Sequence, residues 1–98
     1  MPKYRKKPVV IEAFQMTQQR RWDNPEWPEW AHKAWNMNSA EPGALFIDPD
    51  DSAGERLMVT TLEGFHVVSW NDWIIQGVKG ELYPCKPDIF EATYEKVE

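Results

Sequence analysis

Residues 57–94 read LMVTTLEGFHVVSWNDWIIQGVKGELYPCKPDIFEATY, and this stretch decides the fold. It is a run of short apolar, β-branched segments separated by turn residues. Glu63-Gly64 stands between Leu62 and Phe65, and Gly accepts positive φ at no steric cost, so the pair is a two-residue hairpin loop. That loop pairs Leu62 with Phe65, Thr60 with Val67 and Met58 with Ser69 on one face. The other face carries Thr61 with His66, Val59 with Val68 and Leu57 with Trp70. Asn71-Asp72 separates Trp70 from Trp73, and Asn tolerates the left-handed region. Lys79-Gly80 separates Val78 from Glu81. The result is a meander of strands near 57–62, 65–70, 73–78 and 81–84. Apolar residues lie on both faces, which predicts a strongly bent antiparallel sheet, an open barrel-like meander, and not a flat sheet on solvent.

The rest of the chain fits around that sheet. The segment 8–16 (PVVIEAFQM) alternates like a strand, with Pro8 able to start it. Residues 18–24 are polar and read as a loop. Trp27, Trp30, Ala31, Ala34 and Trp35 recur at helical spacing, so the segment from Pro28 to about residue 38 is the one packed α-helix. Residues 44–48 form a short strand, and 49–55 an acidic loop. Asp48, Asp50 and Asp51 lack the glycine and the distal Glu of a calcium loop, so a solvated loop is the simpler reading. In Pro84-Cys85-Lys86-Pro87 the prolines impose extended backbone. Asp88 caps one turn through Glu91, and 92–97 read as a final edge strand. The fold class is α+β, one domain over 1–98, with a basic N-terminal arm at 1–7, a helix at about 28–38, a β-meander at 57–84 and a C-terminal segment at 85–98.

Composition narrows the function classes. The chain has 98 residues, enough for one modest core, and 42% of them are apolar. A net charge of −5 disfavours bulk nucleic-acid binding. One cysteine and two histidines supply neither an intramolecular disulfide nor a metal quartet, so no metal or cofactor is expected. No apolar run approaches the roughly 20 residues of a membrane span. The basic start is followed by too short an apolar run, interrupted by Glu12, to act as a signal peptide.

Several side chains are candidates for chemistry. His66, Cys85 and His32, completed by Asp72 or Glu63, could bind a metal, but no motif spacing supports it. Cys85 with His66 could act as nucleophile and base; a strand histidine and a half-buried thiol is the simpler account. Asp72, Glu81 and Asp88 could pair as acid and base, although an Asp in a tight turn more often bonds nearby backbone. No residue is assigned a catalytic role. The stronger set is Trp70, Trp73, Tyr83 and Lys86, with Arg5 and Lys6. Aromatic faces beside cations suit a nucleotide-like molecule or an acidic protein surface. The three Trp residues of the helix are a heavy load for a short element, so part of that stripe is a candidate contact for a partner or a second copy of the chain.

Two blocks carry a family resemblance. MPKYRKKPVVIEAFQ (1–15), and TLEG (61–64) with DWIIQGVKGELYPCKPDIFEATYEKV (72–97), resemble a family of small bacteriophage and prophage proteins. They are also similar to the domain named for a Pro-Gly-Asp-Tyr-Gly-like motif (PGDYG). Residues 17–56 are where such proteins vary, and Asn71 stands where the family usually has Gly. The resemblance implies a phage-encoded origin and a compact sheet domain, and it implies no activity. The expected function, reached by elimination, is a phage accessory protein of the bacterial cytoplasm. It binds a host protein or a small signalling molecule, as in counter-defence, without turnover. A structural or replication accessory and a small nucleotide-acting enzyme are the alternatives.

Overall fold

The computed structural model describes residues 2–5, 9–23 and 26–97. The fold is mixed α+β. Its elements in order are β1 (Glu12–Gln15), α1 (Gln18–Trp22), α2 (Glu29–Trp35), β2 (Leu45–Ile47), β3 (Leu57–Thr61), β4 (Gly64–Val68), β5 (Trp73–Gln76), β6 (Leu82–Cys85) and α3 (Pro87–Thr93). Among the described residues no helix is long and apolar enough to cross a membrane.

The single meander expected over 57–84 divides into two three-stranded antiparallel sheets, β2-β3-β4 and β1-β5-β6. β4 and β5 follow one another in the chain but share no ladder. The end of β1 takes the place that β4 would occupy: Met16 N–H donates to Asp72 O (2.8 Å) and Asn71 N–H to Met16 O (2.7 Å). β5 has two edges, and β1 and β6 fill both. The two sheets meet where β6 lies against β3 and β4.

The turns follow the expected chemistry with shifted bounds. The β3–β4 hairpin pairs Thr61 with Gly64, Thr60 with Phe65 and Leu57 with Val68. The loop is therefore Leu62-Glu63, not Glu63-Gly64. Gly64 has φ +115°, and neither loop residue has positive φ, so the glycine follows the loop instead of lying in it. Thr61 Oγ1 accepts Glu63 N–H (3.1 Å) and donates to Gly64 O (2.9 Å), which holds the turn one residue early. Asn71 has φ +72°, as its place in the turn requires. Between β5 and β6 the pairing of Gln76 with Leu82 makes the loop 77–81, longer than the expected Lys79-Gly80 pair.

The core lies between the inner faces of the two sheets and α2. Phe14, Ile74 and Leu82 come from one sheet, Leu45, Leu57, Val59 and Val68 from the other, and Ala31 and Ala34 from α2. Burying each large aliphatic side chain contributes ~1.5–3 kcal/mol. α2 ends at Trp35, three residues short of the expected 38, with Asn36 as C-cap. Its apolar stripe is only partly core. Ala31, Ala34 and the preceding Trp27 are buried, Trp30 is half-buried against them, and Trp35 reaches solvent. Trp27 donates from Nε1 to Arg20 O (2.7 Å) and Trp30 from Nε1 to Glu12 Oε1 (3.1 Å), so each buried indole has an acceptor.

Two elements correct the sequence reading. Residues 18–22 are a helix, where a loop was expected; Thr17 caps it, its Oγ1 accepting Arg20 N–H at 3.1 Å. The expected edge strand over 92–97 is absent, because α3 runs on to Thr93. Pro87 is preset for the first helical turn, and Phe90 and Tyr94 pack as successive turns of one stack. The acidic loop closes on itself: Asp51 accepts N–H from Glu55 and Arg56, and Asp48 pairs with Arg56 at 2.9 Å. These backbone donors hold the Asp51 carboxyl below its usual pKa.

Candidate functional site

The sheet β1-β5-β6 has an outer face built by strand alternation. Trp73 and Ile75 point out from β5, opposite Cys85 and Tyr83 on β6. α3 covers this face. Phe90 stacks flat on Trp73, with centroids 4.1 Å apart at 5°, and Tyr94 stacks on Phe90 at 5.0 Å. Ile75 is fully buried beneath them. Tyr83 is half-buried, and its pKa is pushed up to about 12, first by burial and then by a hydrogen bond with Tyr94. Trp73, Phe90, Tyr94 and Tyr83 therefore form a continuous aromatic wall.

A cleft adjoins the wall on each side. One of about 560 Å³ runs past Trp73, Phe90 and Tyr94 along the residues leading into β1, Val9 to Gln15 among them. The other, about 640 Å³, lies between the β3–β4 hairpin and the β5–β6 loop and is lined by Leu62, His66, Lys79 and Tyr83 among others. Both volumes fall within the ordinary range of ligand sites.

The residues singled out from sequence do not converge. Trp73 lines the first cleft and Tyr83 the second; among the described residues Trp70 and Lys86 line neither. Lys86 closes the turn between β4 and β5, its Nζ 3.3 Å from Asp72 Oδ2 and 3.4 Å from Ser69 Oγ. That use competes with the ligand contact expected of it. Trp70 stands exposed in the same turn. Arg5 is exposed on the N-terminal segment, and Lys6 lies outside the described residues.

The side chains weighed for catalysis have other work. Asp72 is 2% exposed, and its Oδ2 also accepts Ser69 N–H at 2.9 Å. Glu81 Oε1 accepts Lys79 N–H at 2.9 Å. Cys85 is on β6 and His66 on β4, in different sheets. Burial, with the carboxylates of Asp72 and Asp88, raises the Cys85 pKa and keeps the thiol neutral, the opposite of what a nucleophile requires. Among the described residues no group of three His, Cys, Asp or Glu side chains could hold a metal ion.

Two features were missed in the sequence. The outer face of β2-β3-β4 presents Phe46, Met58, Phe65 and Val67, with Leu62 at its tip. Phe65 is 62% exposed, Val67 46% and Leu62 88%. Phe46 meets Phe65 edge to face at 5.6 Å. The signal was present as apolar residues on both faces of the hairpin. The second feature is Arg21, which lies over the rings of Trp22 and Trp35. Compared with family models, with curated proteins and with solved structures, the chain matches none of them.

Proposed function

We propose that this chain is a phage-encoded accessory protein of the bacterial cytoplasm that holds a host protein and performs no turnover. The phage origin rests on the resemblance of residues 1–15, 61–64 and 72–97. The binding role rests on one observation, the exposed apolar face of β2-β3-β4. Sheets of this kind ordinarily carry polar residues on the face turned from the core. Contiguous exposed apolar surface marks an interaction site more often than it is idle. Here the middle of the face carries no charge in a chain of net −5. The Asp48–Arg56 ion pair lies at one end and Glu63 at the hairpin tip, as a polar rim would. The two sheets, meeting along β6, form on this reading the open barrel-like wall that holds the face rigid.

The test is capture from bacterial lysate with wild-type protein and with Phe65→Ser and Leu62→Ser variants. The expected result is a stoichiometric protein retained by wild type and lost in both variants, with melting temperatures unchanged. Equal retention by all three removes the face from the reading. The cleft beside Tyr83 supports a small signalling molecule as the second reading. A melting-temperature rise with a nucleotide panel, abolished by Lys79→Ala, would favour it over the first.

A further inference from the structure

The last turn of α1 holds two arginines, Arg20 and Arg21, with different surroundings. Arg20 is tied on two sides: Nη1 donates to Gln15 O at 2.9 Å, and Nε pairs with Glu26 Oε1 at 3.0 Å. The Arg21 side chain has no hydrogen bond or ion pair among the described residues, while its backbone N–H donates to Thr17 O at 3.0 Å. Its Cζ lies 5.2 Å from the centroid of the Trp22 ring and 5.4 Å from that of Trp35. Its Nε is buried without a partner among the described residues. Buried donors are nearly always satisfied, so this one calls for an explanation.

The indole faces attract the cation but supply no lone pair in the plane of the guanidinium. They restrain its position and leave unused the two Nη groups, which unlike the Nε are not buried. Both rings flank an open surface, Trp22 at 63% and Trp35 at 36% exposure. We propose that Arg21, restrained by Trp22 and Trp35, is a recognition site for a single carboxylate. A guanidinium fork matches two coplanar oxygens. A phosphate dianion fits less well. The neighbouring cation, Arg20, is already neutralised by Glu26, and Asp23 follows directly after Trp22. A glutamate or aspartate side chain on a partner protein and a free organic acid share this chemistry. The site is independent of the apolar face of β2-β3-β4.

The experiment follows the indole N–H resonances of Trp22 and Trp35 in the ¹⁵N-labelled chain. Sodium acetate, a blocked Gly-Glu-Gly peptide, inorganic phosphate and sodium chloride are titrated at matched ionic strength. Both indole signals are expected to move together and saturate with the carboxylates and not with chloride. Tighter saturation by the peptide than by acetate identifies a protein-borne carboxylate; equal saturation identifies a free acid. Arg21→Lys, which keeps the charge and loses the fork, is expected to weaken binding about tenfold with the circular dichroism spectrum intact. Trp22→Leu keeps the fork and removes one restraint, and is expected to weaken binding as well. Chloride-like shifts throughout, wild-type affinity in Arg21→Lys, or tighter saturation by phosphate than by acetate would each overturn the assignment.

Discussion

Replacing Asp72 with Ala should destabilise the protein more than any other single change in the turn between β4 and β5. The Asp72 carboxylate is buried and accepts from Ser69 N–H at 2.9 Å and from Lys86 Nζ at 3.3 Å. Around it, Met16 N–H donates to Asp72 O and Asn71 N–H to Met16 O, so the turn also holds the end of β1. A hydrogen bond to a charged acceptor is worth ~1.5–3 kcal/mol, and a part-buried donor left unmade costs a further ~1 kcal/mol. The Lys86 side chain is 56% exposed, so its share is solvent-screened and below about 1 kcal/mol. The expected loss for Asp72→Ala is therefore about 2.5–4 kcal/mol. For a chain of this size that lowers Tm on the order of 10–30 °C. Asp72→Asn keeps an acceptor for Ser69 N–H and loses the charge, and should cost about 1 kcal/mol. Lys86→Met should cost no more than that. A fully buried pair would behave otherwise, because removing one partner would strand an uncompensated charge at ~3–5 kcal/mol. Urea unfolding followed by tryptophan fluorescence gives the order directly, with the slope unchanged among variants. Asp72→Ala within 0.5 kcal/mol of wild type, or Lys86→Met as damaging as Asp72→Ala, would refute this account of the turn.

Three further outcomes are expected. Gly64→Val should destabilise by roughly 1–3 kcal/mol, because φ is +115° there while no neighbour lies within 4 Å of an added Cβ; the strain is in the backbone alone, and Gly64→Asn should cost less. Tyr83 should ionise near pH 12, read by ultraviolet absorbance against Tyr83→Phe. Its folded pKa lies above the unfolded value of about 10. The unfolded chain therefore loses that proton first, and the contribution, complete below pH 10, fades as pH rises towards 12. Cys85 should be alkylated by iodoacetamide at pH 8 more slowly than a cysteine in a free peptide, and should reach the peptide rate in urea, since burial is the main cause of its raised pKa.

Much of the β3–β4 hairpin was legible in residues 57–68, and the reason is local. Alternation assigns faces, and the turn residues locate the reversal. The observed register differs from the expected one by two residues across the pair, which moves each partner one step along its own face. A slip of one would have turned every side chain over, whereas a slip of two leaves Leu57, Val59 and Val68 together on one face, the face that the structure buries. Asn71 and Gly80 were placed in turns for the same local reason, and both have positive φ. α1 was missed because its five residues bury nothing and so show no apolar period; the signal that existed was its cap, Thr17. The last strand was misassigned because Ala92 to Val97 alternates weakly, while the helix is decided upstream by Pro87 and by the stacking of Phe90 on Trp73.

The candidate site was the least legible part. Trp73 and Tyr83 do share a face, which strand alternation alone predicts once β5 and β6 are paired. Lys86 was offered to a ligand, yet it reaches Asp72 and Ser69, because the chain bends back at the turn the same residues build. Local pattern settled which segments are strands, where they reverse and which side chains share a face, since those depend on dihedral preference and period over a few residues. The split into two sheets, the capture of β5 by β1 and the neighbours of Arg21 depend on contacts between segments distant in the chain, as far apart as Glu12 and Gln76. Several pairings of similar apolar strands satisfy the same alternation, and only the packing of the whole core selects one of them.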